Sequence, residues 1–304
     1  MSSGNKSAEK TMNEFDSLMK ILTGWAKPLC RNSYFQNCYL FGSLINRDGE
    51  QFVSSGQLES DVDLVLRLSE EASSALERVS ACSKLAEKVY NLEISLLQTL
   101  KRSSASHPIT SIVLATSYEL YHGIHKGNDP IIFLSPQFID LTAKSKDKYK
   151  RISLTDHIDA KFYIDFIECI SIIKYTQSVR NHYLRISANK TRPISLTYDG
   201  PEIFPKEVLR HAAMYQFFDG KCDIADRTDL NQGLEYMLNL MISIKNDDQN
   251  YNKLHEKILR RASPRGKKPQ ITPDDYLLIW EILFDRAIQS IPKTAREIID
   301  EMSV

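Results

Sequence analysis

The sequence predicts an α+β fold with a strand-rich first half and an all-helical second half. Up to about residue 150 the apolar residues form short runs with strand-like alternation, whereas from about residue 155 they recur every three or four positions. The 304 residues, 42% of them hydrophobic, are enough for two domains with a sizeable core. We therefore expect one domain over residues 1–150 and a helical domain over residues 151–304.

The first elements follow from apolar spacing and from turn signals. Residues 8–29 carry apolar side chains three and four apart, which predicts an amphipathic helix that ends near Pro28. The apolar run Tyr39-Leu40-Phe41 predicts a strand. It leads directly into Gly42-Ser43, which indicates a turn where a new element begins.

Three further elements complete the first half. Residues 61–66 predict a strand with alternating acidic and apolar side chains. Ser69 and the two glutamates after it are typical of a helix N-terminus, so we expect a long helix from there through residue 96. Residues 108–124 alternate apolar and polar and contain β-branched residues and tyrosines, which predicts one or two strands.

The second half shows helical spacing throughout. The predicted helices cover residues 157–175, 205–218, 229–244, 251–262 and 273–290.

Composition bounds the function. Lys+Arg and Asp+Glu are both 39, so no overall field attracts the protein to nucleic acid or to a membrane surface. The five cysteines are scattered without metal-ligand spacing, which favours reduced buried thiols. The N-terminus lacks the apolar segment of a signal peptide, and no apolar run approaches the roughly 20 residues that cross a bilayer. We expect a cytoplasmic protein without membrane contact.

The most specific feature is a Gly-Ser turn followed by an Asp-x-Asp strand. In an extended strand Asp61 and Asp63 lie on one side, while Val62 and Leu64 lie on the other. Adjacent carboxylates repel each other unless a cation lies between them, and hard divalent cations such as Mg²⁺ prefer carboxylate oxygens. At Gly42-Ser43 the backbone can approach a ligand closely, and bare N–H groups with a hydroxyl suit phosphate oxygens. The sequence therefore predicts a metal site and a phosphate site on one short hairpin.

These residues resemble the signature of the DNA polymerase β-like nucleotidyltransferases, which is hydrophobic-Gly-Ser, a spacer, and Asp-x-Asp between hydrophobic residues. The spacer from Gly42 to Asp61 is longer than in the compact family version, and its turn signals at Asp48-Gly49 and Ser54-Ser55-Gly56 indicate an enlarged loop. The resemblance covers residues 39–68, and the chain length looks most like the bacterial cyclic-oligonucleotide synthases of anti-phage signalling, the CD-NTases. It implies a palm-like mixed sheet with flanking helices, a C-terminal helical domain, and a nucleotide bound in the cleft between them.

The resemblance also implies a third acidic residue on a later strand, which joins the metal site or activates the attacking hydroxyl. Glu119 matches best by spacing and by its hydrophobic neighbours, although a glutamate on a half-exposed strand is equally explained by solvation. Asp129, in a turn-like setting, is the alternative. With Asp61, Asp63 and Glu119 as ligands, the implied cofactor is a pair of Mg²⁺ ions about 3.5–4 Å apart, for which Mn²⁺ can substitute.

Cations facing the triphosphate are expected from the helical half. Lys206 and Arg210 are four residues apart near the start of a predicted helix and share one face, so both can reach a cleft, or both can simply be solvated. The basic segment 260–268 leaves nucleic-acid binding open, because it can contact phosphates but has no interleaved aromatic residues.

The expected activity is Mg²⁺-dependent nucleotidyl transfer from NTP substrates. By resemblance, the product is a cyclic or linear oligonucleotide messenger in anti-phage defence, and the partners are proteins of the same defence operon. Two alternatives stay open. One is transfer onto a protein, RNA or small-molecule acceptor; the other is a catalytically degenerate module that binds nucleotides as a sensor.

Overall fold

A computed structural model gives the fold of most of the chain. The residues that it describes are 3–31, 33–46, 53–54, 57–58, 61–100, 109–127, 131–143, 150–156, 167–185, 196–218, 228–244, 248–265 and 268–301.

Helices account for most of this described part, and none of those helices combines the length and apolarity needed to cross a bilayer. The helices are α1 (Ser3–Leu29), α2 (Ser43–Asn46), α3 (Ala75–Leu100), α4 (Ser117–Tyr121), α5 (Ile167–Leu184), α6 (Lys206–Phe218), α7 (Leu230–Ser243), α8 (Gln249–Ala262) and α9 (Pro273–Glu301). The strands are β1 (Phe35–Phe41), β2 (Val53–Ser54), β3 (Gln57–Leu58), β4 (Val62–Leu68), β5 (Thr110–Ala115), β6 (Phe138–Asp140) and β7 (Arg151–Ile152).

Five strands form one mixed sheet in the order β5-β4-β1-β6-β7. Strands β4 and β5 are parallel, and the other neighbouring pairs are antiparallel. Strands β2 and β3 pair with each other inside the long spacer, whose predicted turns at 48–49 and 55–56 lie outside the described residues. The mixed sheet and its helices confirm the predicted α+β class.

The chain divides into two compact units that interleave along the sequence. Unit 1 consists of residues 1–73, 80–159 and 180–193, and contains the five-stranded sheet. Unit 2 consists of residues 74–79, 160–179 and 194–304, and is helical. The division predicted at residue 150 stays a prediction.

The central strands of unit 1 are buried on both faces. Leu40, Leu64 and Leu66 are fully buried on one face, and each contributes about 1.5–3 kcal/mol to folding by leaving water. The opposite face carries an aromatic-rich cluster, which consists of Tyr39, Phe41, Val65, Val113, Ala115, Leu120, Phe133 and Phe138. Because side chains alternate along a strand, Asp63 lies on the same face as Val65, at the edge of this aromatic cluster.

Two predictions about elements of the first half are wrong, the start of α3 and the strand assignment over residues 108–124. Ser69 does not begin helix α3, because its N–H donates to the Tyr34 carbonyl in an extended segment. The helix starts after Ser74, whose N–H and hydroxyl both lie 2.9 Å from Glu77 Oε2 in a reciprocal cap. The stretch 108–124 is likewise not all strand, since α4 follows β5 directly.

Unit 2 is held together by close helix packing. A Cβ on Gly233 would overlap the carbonyl oxygen of Leu209, so the glycine lets α7 approach α6. Arg78 Nε donates to Glu281 Oε2 at 2.6 Å, and both side chains are buried. The four helices predicted after residue 200 are all present, with α8 and α9 longer than predicted.

Candidate active site

The candidate site lies in unit 1, where three neighbouring strands present Phe41, Asp63 and Ser111 side by side. Phe41 pairs with Asp63 across the antiparallel β1–β4 ladder, and Asp63 pairs with Ser111 across the parallel β4–β5 ladder. The next row on the same face is Tyr39, Val65 and Val113, which belongs to the aromatic cluster. Asp63 therefore lies at the border between the buried aromatic cluster and the polar end of the central strands.

Gly42 brings the turn after β1 directly against this aspartate. Its φ of +84° lies in the left-handed region, which a residue with a side chain rarely adopts. A Cβ at this position would lie 2.5 Å from Asp63 Oδ2 and 3.2 Å from Asp63 Cγ. Glycine is thus required here both by the backbone angle and by the space that the carboxylate occupies.

Ser43 follows as the first residue of the short helix α2. The Ile45 N–H donates to the Gly42 carbonyl at 3.2 Å, which closes the turn, and the buried Leu44 and Ile45 anchor it to the core. This arrangement fixes the Gly42-Ser43 backbone next to Asp63. The Gly-Ser turn and the Asp-x-Asp strand are therefore brought together, as the sequence predicted.

The surroundings of the Asp63 carboxylate disfavour its ionised form. Burial, reinforced by the neighbouring Asp61 carboxylate, raises the pKa of Asp63 from 3.8 to about 6, although Lys126 and a hydrogen bond from the Ser111 hydroxyl act in the opposite direction. Asp61 is exposed immediately before β4, and the Val62 N–H donates to the Ile109 carbonyl at 2.7 Å to fix the start of that strand. The two carboxylates are close enough for the charge of Asp61 to disfavour the ionised form of Asp63.

Such a pair fits a divalent cation. Mg²⁺ is usually held by one or two carboxylates, with phosphate oxygens and water completing the shell. A bound ion would offset both the burial and the Asp61 charge, which together raise the pKa of Asp63. Within the described ranges no three His, Cys, Asp or Glu side chains form a metal-binding group. Asp61 and Asp63 fit a divalent cation whose remaining ligands are phosphate oxygens and water.

Lys126 is a site residue that the sequence analysis missed. It interacts electrostatically with Asp63, and burial lowers its pKa while Asp63 raises it and Arg185 lowers it. His182, on α5, interacts with both Lys126 and Arg185, and its pKa is lowered by burial first and then by these two cations. No motif marks a lysine between α4 and β6, so only the fold reveals its position.

Glu119 lies in a different place from the two aspartates. It belongs to α4 after the far end of β5, and Ser111 and Ala115 are already about 13 Å apart along that strand. Its fully buried carboxylate accepts hydrogen bonds from the Thr116 N–H and hydroxyl at 2.8 Å and pairs with Arg180 Nη1 at 2.7 Å. The structure does not bring Glu119 together with Asp61 and Asp63.

The sequence contains a signal for this role of Glu119. Thr116 and Glu119 have the Thr-x-x-Glu spacing of a capping box, in which the glutamate returns to the cap residue. The alternative acidic residue, Asp129, lies outside the described residues.

Glu93 is a further buried carboxylate, and it accepts hydrogen bonds from the N–H groups of Ile109 and Thr110 at 2.8 and 2.6 Å, which fixes the start of β5.

Lys206 and Arg210 are both exposed in the first part of α6, in unit 2. They share one face of that helix, as the four-residue spacing predicted.

Comparison with known proteins gives one family match. The family model NTase-conflict, described as a Pol beta superfamily nucleotidyltransferase in conflict systems, matches residues 21–289. No curated protein and no solved structure matches the chain.

Proposed function

The chain belongs to the Pol beta superfamily of nucleotidyltransferases in conflict systems, and we propose that it joins NTPs into cyclic or linear oligonucleotide messengers in anti-phage defence. The family is one of enzymes that transfer nucleotides, and nucleotidyltransferases of this superfamily generally use divalent metals. The observation that carries the proposal is the contact of Gly42 with the Asp63 carboxylate, which joins a phosphate-binding turn to an acidic pair.

The residues of unit 1 have distinct parts in the proposed reaction. Asp61 and Asp63 would hold Mg²⁺, which supplies neutralising charge to the triphosphate and lowers the pKa of the attacking hydroxyl. The backbone N–H groups of the Gly42-Ser43 turn and the Ser43 hydroxyl donate to phosphate oxygens. Glu119 is left out of this set, because Thr116 and Arg180 already engage its carboxylate at the other end of β5.

The proposed step is an in-line displacement at the α-phosphorus of an NTP. A hydroxyl oxygen of the acceptor nucleotide forms the new P–O bond, the bond to the β-phosphate oxygen breaks, pyrophosphate leaves, and the hydroxyl proton passes to solvent. Phosphoryl transfer of this kind depends mainly on positioning and on charge neutralisation. The Gly42-Ser43 turn would supply the positioning, and a divalent cation held by Asp61 and Asp63 would supply the neutralising charge.

Lys206 and Arg210 are proposed as additional phosphate ligands from unit 2. What supports them is their exposure on one face at the start of α6. Substitution of both by glutamine should then raise the KM for the NTP several-fold.

The test is incubation of the purified chain with the four NTPs and Mg²⁺ and no added acceptor. Mass spectrometry of the products and release of pyrophosphate are the two measurements, and Asp63→Asn is the inactive reference. Asp156→Asn is the matched control, because Asp156 is an exposed carboxylate of the same unit. Pyrophosphate release that needs an added protein, RNA or small molecule would exclude messenger synthesis and favour the other acceptors.

The second candidate function is a module that binds an NTP without turning it over. The observation that favours it is that Ser111, rather than an acidic residue, faces Asp63 on the neighbouring strand β5. An NTP that binds with Ca²⁺ or Mg²⁺ and releases no pyrophosphate in any of these assays would support this function.

A further inference from the structure

Loop 122–127, which follows α4, is fixed next to the candidate site. The Ile124 N–H donates to the Glu119 carbonyl at 2.8 Å, and Gly123 turns the chain with a φ of +66°. The buried His125 ring then packs edge-on against Phe41 and Phe133, with ring centroids 6.5 and 5.8 Å apart. Because Phe41 precedes Gly42 and pairs with Asp63, this packing brings the following residue, Lys126, near Asp63.

The last turn of α5 approaches the same place from the β5 side. Arg180 Nη1 donates to the Leu114 carbonyl at 3.3 Å, and Asn181 Nδ2 donates to the Ile112 carbonyl at 2.6 Å. Arg180 and then Asn181 therefore contact β5 progressively nearer to Ser111, His182 follows in the same turn, and Arg185 comes just after the helix ends at Leu184. The electrostatic interactions of Lys126 with both of these residues agree with that direction.

Lys126 and Arg185 thus bring two cationic side chains together, and Lys126 also interacts with Asp63. Two like charges held close, with partial burial of the lysine, favour an anionic ligand that separates them. With a divalent cation on Asp61 and Asp63, the cationic groups would outnumber the carboxylates. The chemistry that such an excess of positive charge recognises is a polyphosphate.

We propose that Lys126 and Arg185, with His182 beside them, form a basic subsite that binds the polyphosphate tail of the nucleoside triphosphate. This subsite belongs to unit 1 itself, with Lys126 in the loop that packs on Phe41 and Arg185 just after the end of α5 that contacts β5. It deepens the proposed function and rests on it for the identity of the ligand. The phosphate oxygens would accept hydrogen bonds from the Lys126 ammonium and the Arg185 guanidinium, as the oxygens of an anion do at other lysine and arginine sites.

The test measures tripolyphosphate binding by calorimetry, in EDTA, to full-length protein that carries Asp61→Asn and Asp63→Asn. This background removes the repelling carboxylates and any ion that they hold, so the basic subsite acts alone. Adding Lys126→Gln should weaken binding about 10- to 100-fold, the size of one charge-assisted hydrogen bond, and Arg185→Gln should weaken it comparably. Lys126→Arg should retain binding, and Lys88→Gln, which changes an exposed lysine on α3, should leave it unchanged.

Unchanged tripolyphosphate binding in Lys126→Gln would overturn the subsite and reduce Lys126 to a counter-ion of Asp63. Thermal melts of each variant show whether a loss of binding comes from unfolding, and retention by Lys126→Arg separates charge from packing. Turnover of NTPs by the otherwise unsubstituted chain is scored separately. If tripolyphosphate binding depends on Lys126 but the chain does not turn over NTPs, the subsite is supported and the proposed function fails. If the chain turns over NTPs but binding does not depend on Lys126, the proposed function is supported and the subsite fails.

Discussion

Two groups of acidic side chains lie near opposite ends of strand β5, and their surroundings differ sharply. Glu119 is fully buried, yet its carboxylate receives two hydrogen bonds from Thr116 and a guanidinium from Arg180. Asp63 is less buried, but it faces Asp61 and has a pKa raised to about 6. The two carboxylates therefore differ in their partners more than in their burial. Glu119 is hydrogen-bonded and ion-paired and holds α4 in place, whereas Asp63 has a like-charged neighbour, an arrangement that suits a bound cation.

The largest effect that tests this contrast is on turnover. Asp61→Asn and Asp63→Asn should each lower nucleotidyl transfer by about 10³-fold or more, because a neutral amide neither holds a divalent cation nor replaces its charge. Glu119→Gln should keep its activity per folded molecule. Pyrophosphate release by purified folded protein is the measurement, and full activity in Asp63→Asn would remove the aspartates from the site.

The second effect is on stability, and it should be large at the Glu119–Arg180 pair, where the effect on activity is small. Arg180→Met should lower the free energy of unfolding by about 3–5 kcal/mol, because the buried Glu119 carboxylate loses its partner. Lys88→Met, at an exposed position of α3, serves as the control. Urea unfolding followed by circular dichroism checks the difference. A loss in Arg180→Met no larger than in the control would show that the ion pair contributes nothing.

A third prediction concerns pH and sharpens the contrast at Asp63. A carboxyl group with a folded pKa of about 6 and an unfolded value of 3.8 binds more protons in the folded state, so its contribution to stability falls as pH rises through this window. Asp63→Asn should therefore be more stable than the parent above pH 6, by at most about 3 kcal/mol, with the difference vanishing below about pH 4. Thermal melts across this range would show the trend, and a pH-independent difference would contradict it.

The smallest effect is expected at Gly42. Gly42→Ala should cost about 1–2 kcal/mol of stability, because a side chain is disfavoured at this φ, and the new methyl group would press on Asp63. Gly24→Ala is a matched control in the exposed part of α1, where a Cβ meets nothing within 4 Å, so it should be neutral or stabilising. Denaturant midpoints of the two variants test this, and equal values would remove the steric argument.

The features predictable from the sequence are those encoded locally. The Gly-Ser turn and the Asp-x-Asp strand are contiguous patterns, and the helices after residue 200 follow from their apolar spacing. At Glu119 the strand-like alternation of the sequence conflicts with the Thr116-x-x-Glu119 capping box, and the structure follows the capping box. Lys126 had no local signal at all, since its place depends on the packing of His125 against Phe41, 84 positions away in the chain.

Because Gly42 packs closely against Asp63, a movement of the turn must also move the carboxylate. A ligand that shifts one must alter the affinity for whatever occupies the other, and thermodynamic reciprocity requires the two influences to be equal. A nucleotide held at the turn should thus strengthen ion capture by the same factor by which the ion strengthens nucleotide capture. Selectivity among nucleotides and sensitivity to the cation concentration would then both depend on this one coupling free energy.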